Sequence, residues 1–172
     1  MPDTLYVALG VVIGALITGI LNHLQSKNQF TRQKELDEKN FTRSKYEDIY
    51  KTVEELRDSY RKSVSFILVC LSRQKNLEFS ESEKAFSNQE IKGRLKMLVA
   101  LYAPALKDLL VDYNDIDTEY VKLVGDIGAR QDFLDIDSIK LLSENLAQIE
   151  IKISKKLYSI ESKLVELANE IK

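Results

Sequence analysis

The sequence predicts an all-α chain: one N-terminal transmembrane helix followed by a cytoplasmic antiparallel helical bundle or long helical hairpin of three to four helices. Three observations predict it. Between Thr4 and Ser26 there is no Asp, Glu, Lys or Arg. Helix breakers are scarce, with neither Gly nor Pro between Gly19 and Gly93 and prolines only at Pro2 and Pro104 of the 172 residues. Apolar residues recur at steps of three and four over most of the remaining chain, which is the period of an amphipathic helix.

The first element is the run Leu5 to Leu21, LYVALGVVIGALITGIL. It matches the roughly 20 apolar residues that a helix needs to cross a hydrocarbon core about 30 Å thick. A cleaved secretory signal would carry a basic start and a small-residue cleavage site. Here the start is Met-Pro-Asp-Thr and the run exits into Asn22-His23-Leu24-Gln25, so residues 1–24 are expected to be a retained anchor. The leading side has no Lys or Arg, whereas Lys27, Arg32, Lys34, Lys39 and Arg43 follow. That bias places the N-terminus outside and the body in the cytoplasm, a single-pass arrangement in a cell inner membrane. One cysteine, Cys70, builds no intrachain disulfide framework. Within the anchor, Gly10, Gly14 and Thr18 form one small-residue row and Ala15 with Gly19 an adjacent one. Small residues four apart let helices approach closely in lipid, which makes this face a candidate for membrane helix association.

Residues 25–45 read as a polar, basic helical neck. Phe30-Thr31-Arg32-Gln33-Lys34 is echoed eleven residues later by Phe41-Thr42-Arg43-Ser44-Lys45. Eleven residues make three helical turns, so the two copies share a face. The basic residues are the orientation signal and also suit anionic headgroups.

Residues 46–172 carry the body. The row Ile49, Val53, Leu56, Tyr60, Val64, Ile67, Leu71 defines one helix. Ile91, Leu95, Leu98, Tyr102, Leu106, Leu109, Tyr113, Ile116, Tyr120, Leu123 and Ile127 form a second series, which Pro104 is expected to kink or break. Ile139, Leu142, Leu146, Ile149, Ile153, Leu157, Ile160, Leu164, Leu167 and Ile171 form the third, with a stutter at Ile153, Leu157 and Ile160. Asn88, and Asp137 or Ser138, are the expected caps at the starts of the later helices.

Catalytic equipment is not visible. His23 is the only histidine, and phosphate-loop, dinucleotide, nucleophile-elbow and paired-cysteine zinc spacings are missing. No enzyme activity, cofactor or metal is expected. Nine acids lie between Asp108 and Asp137, but Tyr120 and Asp126 stand where a calcium loop needs Gly and Glu, so this zone reads as a solvated acidic face. Arg57, Arg61 and Lys62, with Lys92, Arg94 and Lys96, are the candidate surface for a partner or a small anionic ligand such as a nucleotide second messenger. Nucleic acid is not expected to bind the acidic face, since phosphate contacts need Lys and Arg.

The GVVIGALITG span, Asn22 at its exit, the basic neck and the Lys45-Tyr46-Glu47-Asp48-Ile49-Tyr50 helix start resemble those of many small bacterial and phage-borne single-span helical proteins. The resemblance covers about the first 60 residues, in architecture and loose motifs, and implies a prokaryotic inner-membrane setting with no catalytic residues to carry over. The expected function is therefore a membrane-anchored helical interaction or assembly protein. Its expected partners are the lipid bilayer, further copies of itself and a cytoplasmic protein. The alternative is an oligomeric membrane effector, in which ligand or partner binding to the cytoplasmic helices perturbs the bilayer.

Overall fold

A computed structural model describes the backbone of residues 2–73, 88–130 and 135–171, with side chains for 18–73, 88–129 and 135–171. The described residues are helical almost throughout. Helix α1 is Pro2–Ser72, α2 is Gln89–Tyr102, a 3₁₀ turn spans Pro104–Leu106, α3 is Lys107–Arg130 and α4 is Ile136–Glu170. The chain divides into two compact units, Met1–Thr42 and Arg43–Lys172, and α1 contributes to both.

Among the described residues no helix is long and apolar enough to cross a membrane. This corrects the expected single-pass, N-out inner-membrane anchor with its cytoplasmic body. Of the uncharged run, Thr18 to Ser26 has described side chains. From Lys27 to Lys62 α1 is charged at almost every turn. Gly10, Gly14 and Ala15 lie outside the residues with described side chains. Thr18 and Gly19 lie within them and are exposed, and a Cβ added at Gly19 would meet nothing within 4 Å.

In the first unit the eleven-residue echo reappears as a repeated side-chain bond. Thr31 donates to the Lys27 carbonyl at 3.0 Å, and Thr42 donates to the Glu38 carbonyl at 2.9 Å. Phe30 and Phe41 are both exposed. Of the basic neck residues, Lys34 pairs with Glu38 at 3.9 Å, and Lys27, Arg32 and Lys39 also lie in this unit.

The second unit is an up-down-up-down helical bundle. Its directions follow from the cross-helix pairs: Glu55 meets Arg94 and Ser59 meets Asn88, so α2 runs against α1. Lys92 meets Asp117, which turns α3 back along α2, while Asp112 meets Lys156 and Glu119 meets Lys152, which sets α4 against α3. Arg57 meets Glu161 and Arg43 meets the Ile171 carbonyl, closing α4 onto α1. Pro104 breaks the helix rather than kinking it. The residue before proline is driven out of the α region, and Ala103 accordingly sits at φ −141°, ψ 58°.

All seven residues of the first apolar row are buried, as are Leu95, Leu98, Leu106, Tyr113, Tyr120 and Ile127 of the second series. In α4, Leu146, Ile153, Leu157, Ile160 and Leu164 complete the core. The start of α4 is earlier than expected. Asp135, in extended conformation, accepts from the Ser138 amide at 2.7 Å and is the N-cap in place of Asp137 or Ser138. Asn88 flanks α2 as expected, but its side chain makes no cap bond and accepts instead from Ser59.

Candidate functional site

The interior of the bundle holds a polar cluster among the apolar rows. Tyr60 of α1, Lys92 of α2 and Tyr113, Asp117 and Tyr120 of α3 form it. Lys92 Nζ donates to both Asp117 oxygens, at 2.7 and 2.8 Å, and the Tyr60 hydroxyl donates to Asp117 Oδ1. The Tyr60 and Tyr113 hydroxyls lie 2.7 Å apart. A phenol has one proton, so with Tyr60 donating to Asp117 it is Tyr113 that donates to Tyr60. The chain of donors ends on the carboxylate. Tyr60 packs edge-on against Tyr113 and Tyr120 at centroid distances of 6.4 and 5.2 Å, and Lys92 Nζ stands 5.5 Å from the Tyr60 ring centroid.

Sequence position explains how these groups converge. Tyr113, Asp117 and Tyr120 are spaced four and three apart on α3, which puts them on one face. Tyr60 lies in the buried row of α1. Burial pushes all three tyrosines up from their ordinary value of 10.0, Tyr60 and Tyr113 far above it and Tyr120 up to about 12. Their phenol forms are thus favoured by folding. Stability from such groups is fully present below the unfolded value and is lost as pH rises through the folded one. Thermal melts of the full chain are expected to lose stability steeply above pH 10.0, through the region near 12 where Tyr120 ionises. Tyr120→Phe should flatten that alkaline limb. An unchanged slope in Tyr120→Phe would contradict the assignment.

A second interior pair joins α1 to α4. Arg57 donates to Glu161 Oε2 at 2.9 Å, and the two side chains keep only 19% and 7% of their accessibility. Burial works against the Arg57 charge, but the hydrogen bond and charge of Glu161 outweigh it and the pKa is raised.

These contacts place the six basic residues singled out from sequence. Arg57 turns to α4 and Lys92 to α3, each onto an interior carboxylate. Arg61 lies 3.9 Å from Glu150 of α4, and Arg94 pairs with Glu55 of α1. Lys62 and Lys96 are exposed. The four with these partners face three different helices, and the six are not drawn onto one anion pocket. The acidic zone divides in the same way: Asp115 and Asp126 are exposed, but Asp117 is an interior group.

Two surface grooves border the bundle. One, of about 230 Å³, is lined by Arg94, Met97 and Leu98 of α2 and by Asp48, Lys51, Thr52 and Glu55 of α1. The other, of about 360 Å³, lies between α1 and the end of α4 and is lined by Arg43, Tyr46, Glu47, Tyr50, Leu164, Val165, Ala168 and Asn169. Among the described residues no group of three or more His, Cys, Asp or Glu side chains could hold a metal ion. Cys70 is buried in the core at the end of α1.

Sequence reasoning missed Asp117 and Glu161 as interior residues. The signal was present, since Asp117 shares the tyrosine face of α3 and Glu161 stands four residues after the core residue Leu157. Comparison with protein-family models, with curated proteins and with solved structures returned no match.

Proposed function

We propose that the helical body acts as a non-catalytic interaction and assembly module that self-associates. The observation that carries this reading is a set of large apolar side chains left on the outer faces of the bundle. Met97 and Leu101 on α2, Val111 and Val121 on α3, and Ile151, Tyr158 and Val165 on α4 are all exposed. They stand on a chain in which 30% of residues are charged. Single exposed apolar residues are ordinary, but rows of them mark interaction surfaces. The interior charges support the same reading, because Lys92, Asp117, Arg57 and Glu161 are engaged with one another across helices and serve packing.

Sedimentation velocity of the full chain is the test. Self-association predicts a species heavier than the 19.7 kDa chain, growing with concentration over a range on the order of 1 to 100 µM. A single 19.7 kDa species throughout that range would overturn the reading.

A further inference from the structure

We propose that the outer face of α4 is the contact between two copies of this chain, arranged antiparallel about a two-fold axis near Tyr158. The proposal rests on the self-association reading and names its surface. Ile151, Tyr158 and Val165 are 49%, 65% and 51% exposed and lie seven residues apart. Seven residues are close to two helical turns, so the three form one row about 21 Å long. Ala147, Ser154, Ser162 and Ala168 beside the row are small and let a second helix come close.

The occupant follows from the asymmetry of the two ends. At the C-terminal end, Val165 opens into the groove of about 360 Å³ formed with Tyr46, Tyr50, Leu164 and Ala168. At the other end, Ile151 stands out from the helix without such a groove among those described. An antiparallel two-fold places Ile151 of each copy at the groove of the other, so both fits close at once, as an isologous interface requires. Charge points the same way. Lys152 follows Ile151 and Glu166 follows Val165 along α4. Antiparallel packing brings Lys152 of one copy to the height of Glu166 of the other at both ends, whereas parallel packing puts like charges at the same height. Their partners within the chain, Glu119 at 3.4 Å and Lys163 at 2.6 Å, form exposed pairs. Such pairs are weak and leave both charges able to serve a second copy. Tyr158 sits at the centre, where a rigid aromatic side chain contributes most to an interface.

Cysteines introduced one at a time into the full chain carrying Cys70→Ser test the geometry. Tyr158→Cys is expected to form a disulfide-linked dimer, because its two copies meet at the axis. Ile151→Cys and Val165→Cys are expected not to link to themselves, since in the antiparallel pair their copies lie about 21 Å apart along the axis, beyond the roughly 7 Å Cα separation a disulfide tolerates. An equimolar mixture of those two variants should cross-link. Tyr158→Glu should weaken dimerisation about 30-fold or more, with helical circular dichroism unchanged. Lys152→Glu and Glu166→Lys should each weaken the homodimer, and their mixture should form a heterodimer preferentially, because opposite charges then meet at both ends, where each variant homodimer sets like charges together at both. Self-linking of Ile151→Cys and Val165→Cys would overturn the antiparallel arrangement. A dimer indifferent to Tyr158→Glu would overturn the surface while leaving self-association standing, and a parent chain that stays monomeric would overturn both.

Discussion

Tyr60→Ala is expected to lower the unfolding free energy by about 5 kcal/mol, at the upper end for truncation of a buried aromatic ring. Three contributions act together. The ring is 1% exposed and fills the space between α1 and α3, so its loss leaves a cavity. Asp117 loses a donor, and the Tyr113 hydroxyl loses its acceptor. Tyr60→Phe separates these effects, since it keeps the ring and removes only the hydroxyl. It is expected to cost about 1.5 kcal/mol, the penalty of leaving buried polar partners unsatisfied. Chemical denaturation followed by circular dichroism checks both. Equal costs for the two substitutions would mean that the ring contributes nothing, contrary to the packing described. Against a total stability of about 5 to 15 kcal/mol for a domain, Tyr60→Ala alone can bring the fold to the edge of unfolding.

Asp117→Ala should cost about 3 kcal/mol, because it strands the Lys92 ammonium in the interior with no counter-charge. The figure is at the low end for a broken buried pair. The Lys92 and Asp117 side chains retain 13% and 15% of their accessibility, and water screens them in part. Removing both charges together should cost much less. A Lys92→Met, Asp117→Leu double variant is expected to cost about 1.5 kcal/mol, since apolar residues replace the buried pair at little net cost while the buried Tyr60 hydroxyl still loses its acceptor. With the Lys92→Met and Asp117→Leu single variants the double-mutant cycle closes, and urea unfolding reads the coupling. A double variant as unstable as Asp117→Ala would show that the ion pair itself, and not the stranded charge, holds the helices together.

The rows of apolar residues were legible because helical spacing is a strictly local property. Every member of the row from Ile49 to Leu71 is buried where its spacing places it. Direction was less legible. The step of four from Tyr102 to Leu106 keeps the periodicity intact across Pro104, yet the chain reverses there, because periodicity reports which residues share a face and not where a helix axis points. Asp117 was hidden by its company, since a count of acids between Asp108 and Asp137 gives no weight to which of them falls on the tyrosine face. Similarly, Arg57 and Lys92 look like surface charges in a basic cluster. Their partners Glu161 and Asp117 lie 104 and 25 residues further along the chain, and only the folded arrangement brings them together. The uncharged run from Thr4 to Ser26 predicts a membrane span, but among the described residues no helix is long and apolar enough to cross a membrane. In the structure α1 continues from that run through the charged neck to Ser72.

The two interior ion pairs also bear on which arrangement of the helices is unique. Leu and Ile rows that repeat every turn can slide past one another by one turn, about 5.4 Å, and still bury similar area. Lys92 with Asp117 fixes α2 against α3, while Arg57 with Glu161 fixes α1 against α4. A one-turn slip of either helix pair would strand opposite charges among apolar side chains. These four residues therefore act as registration pins, selecting one vertical offset from several that the greasy rows alone would accept.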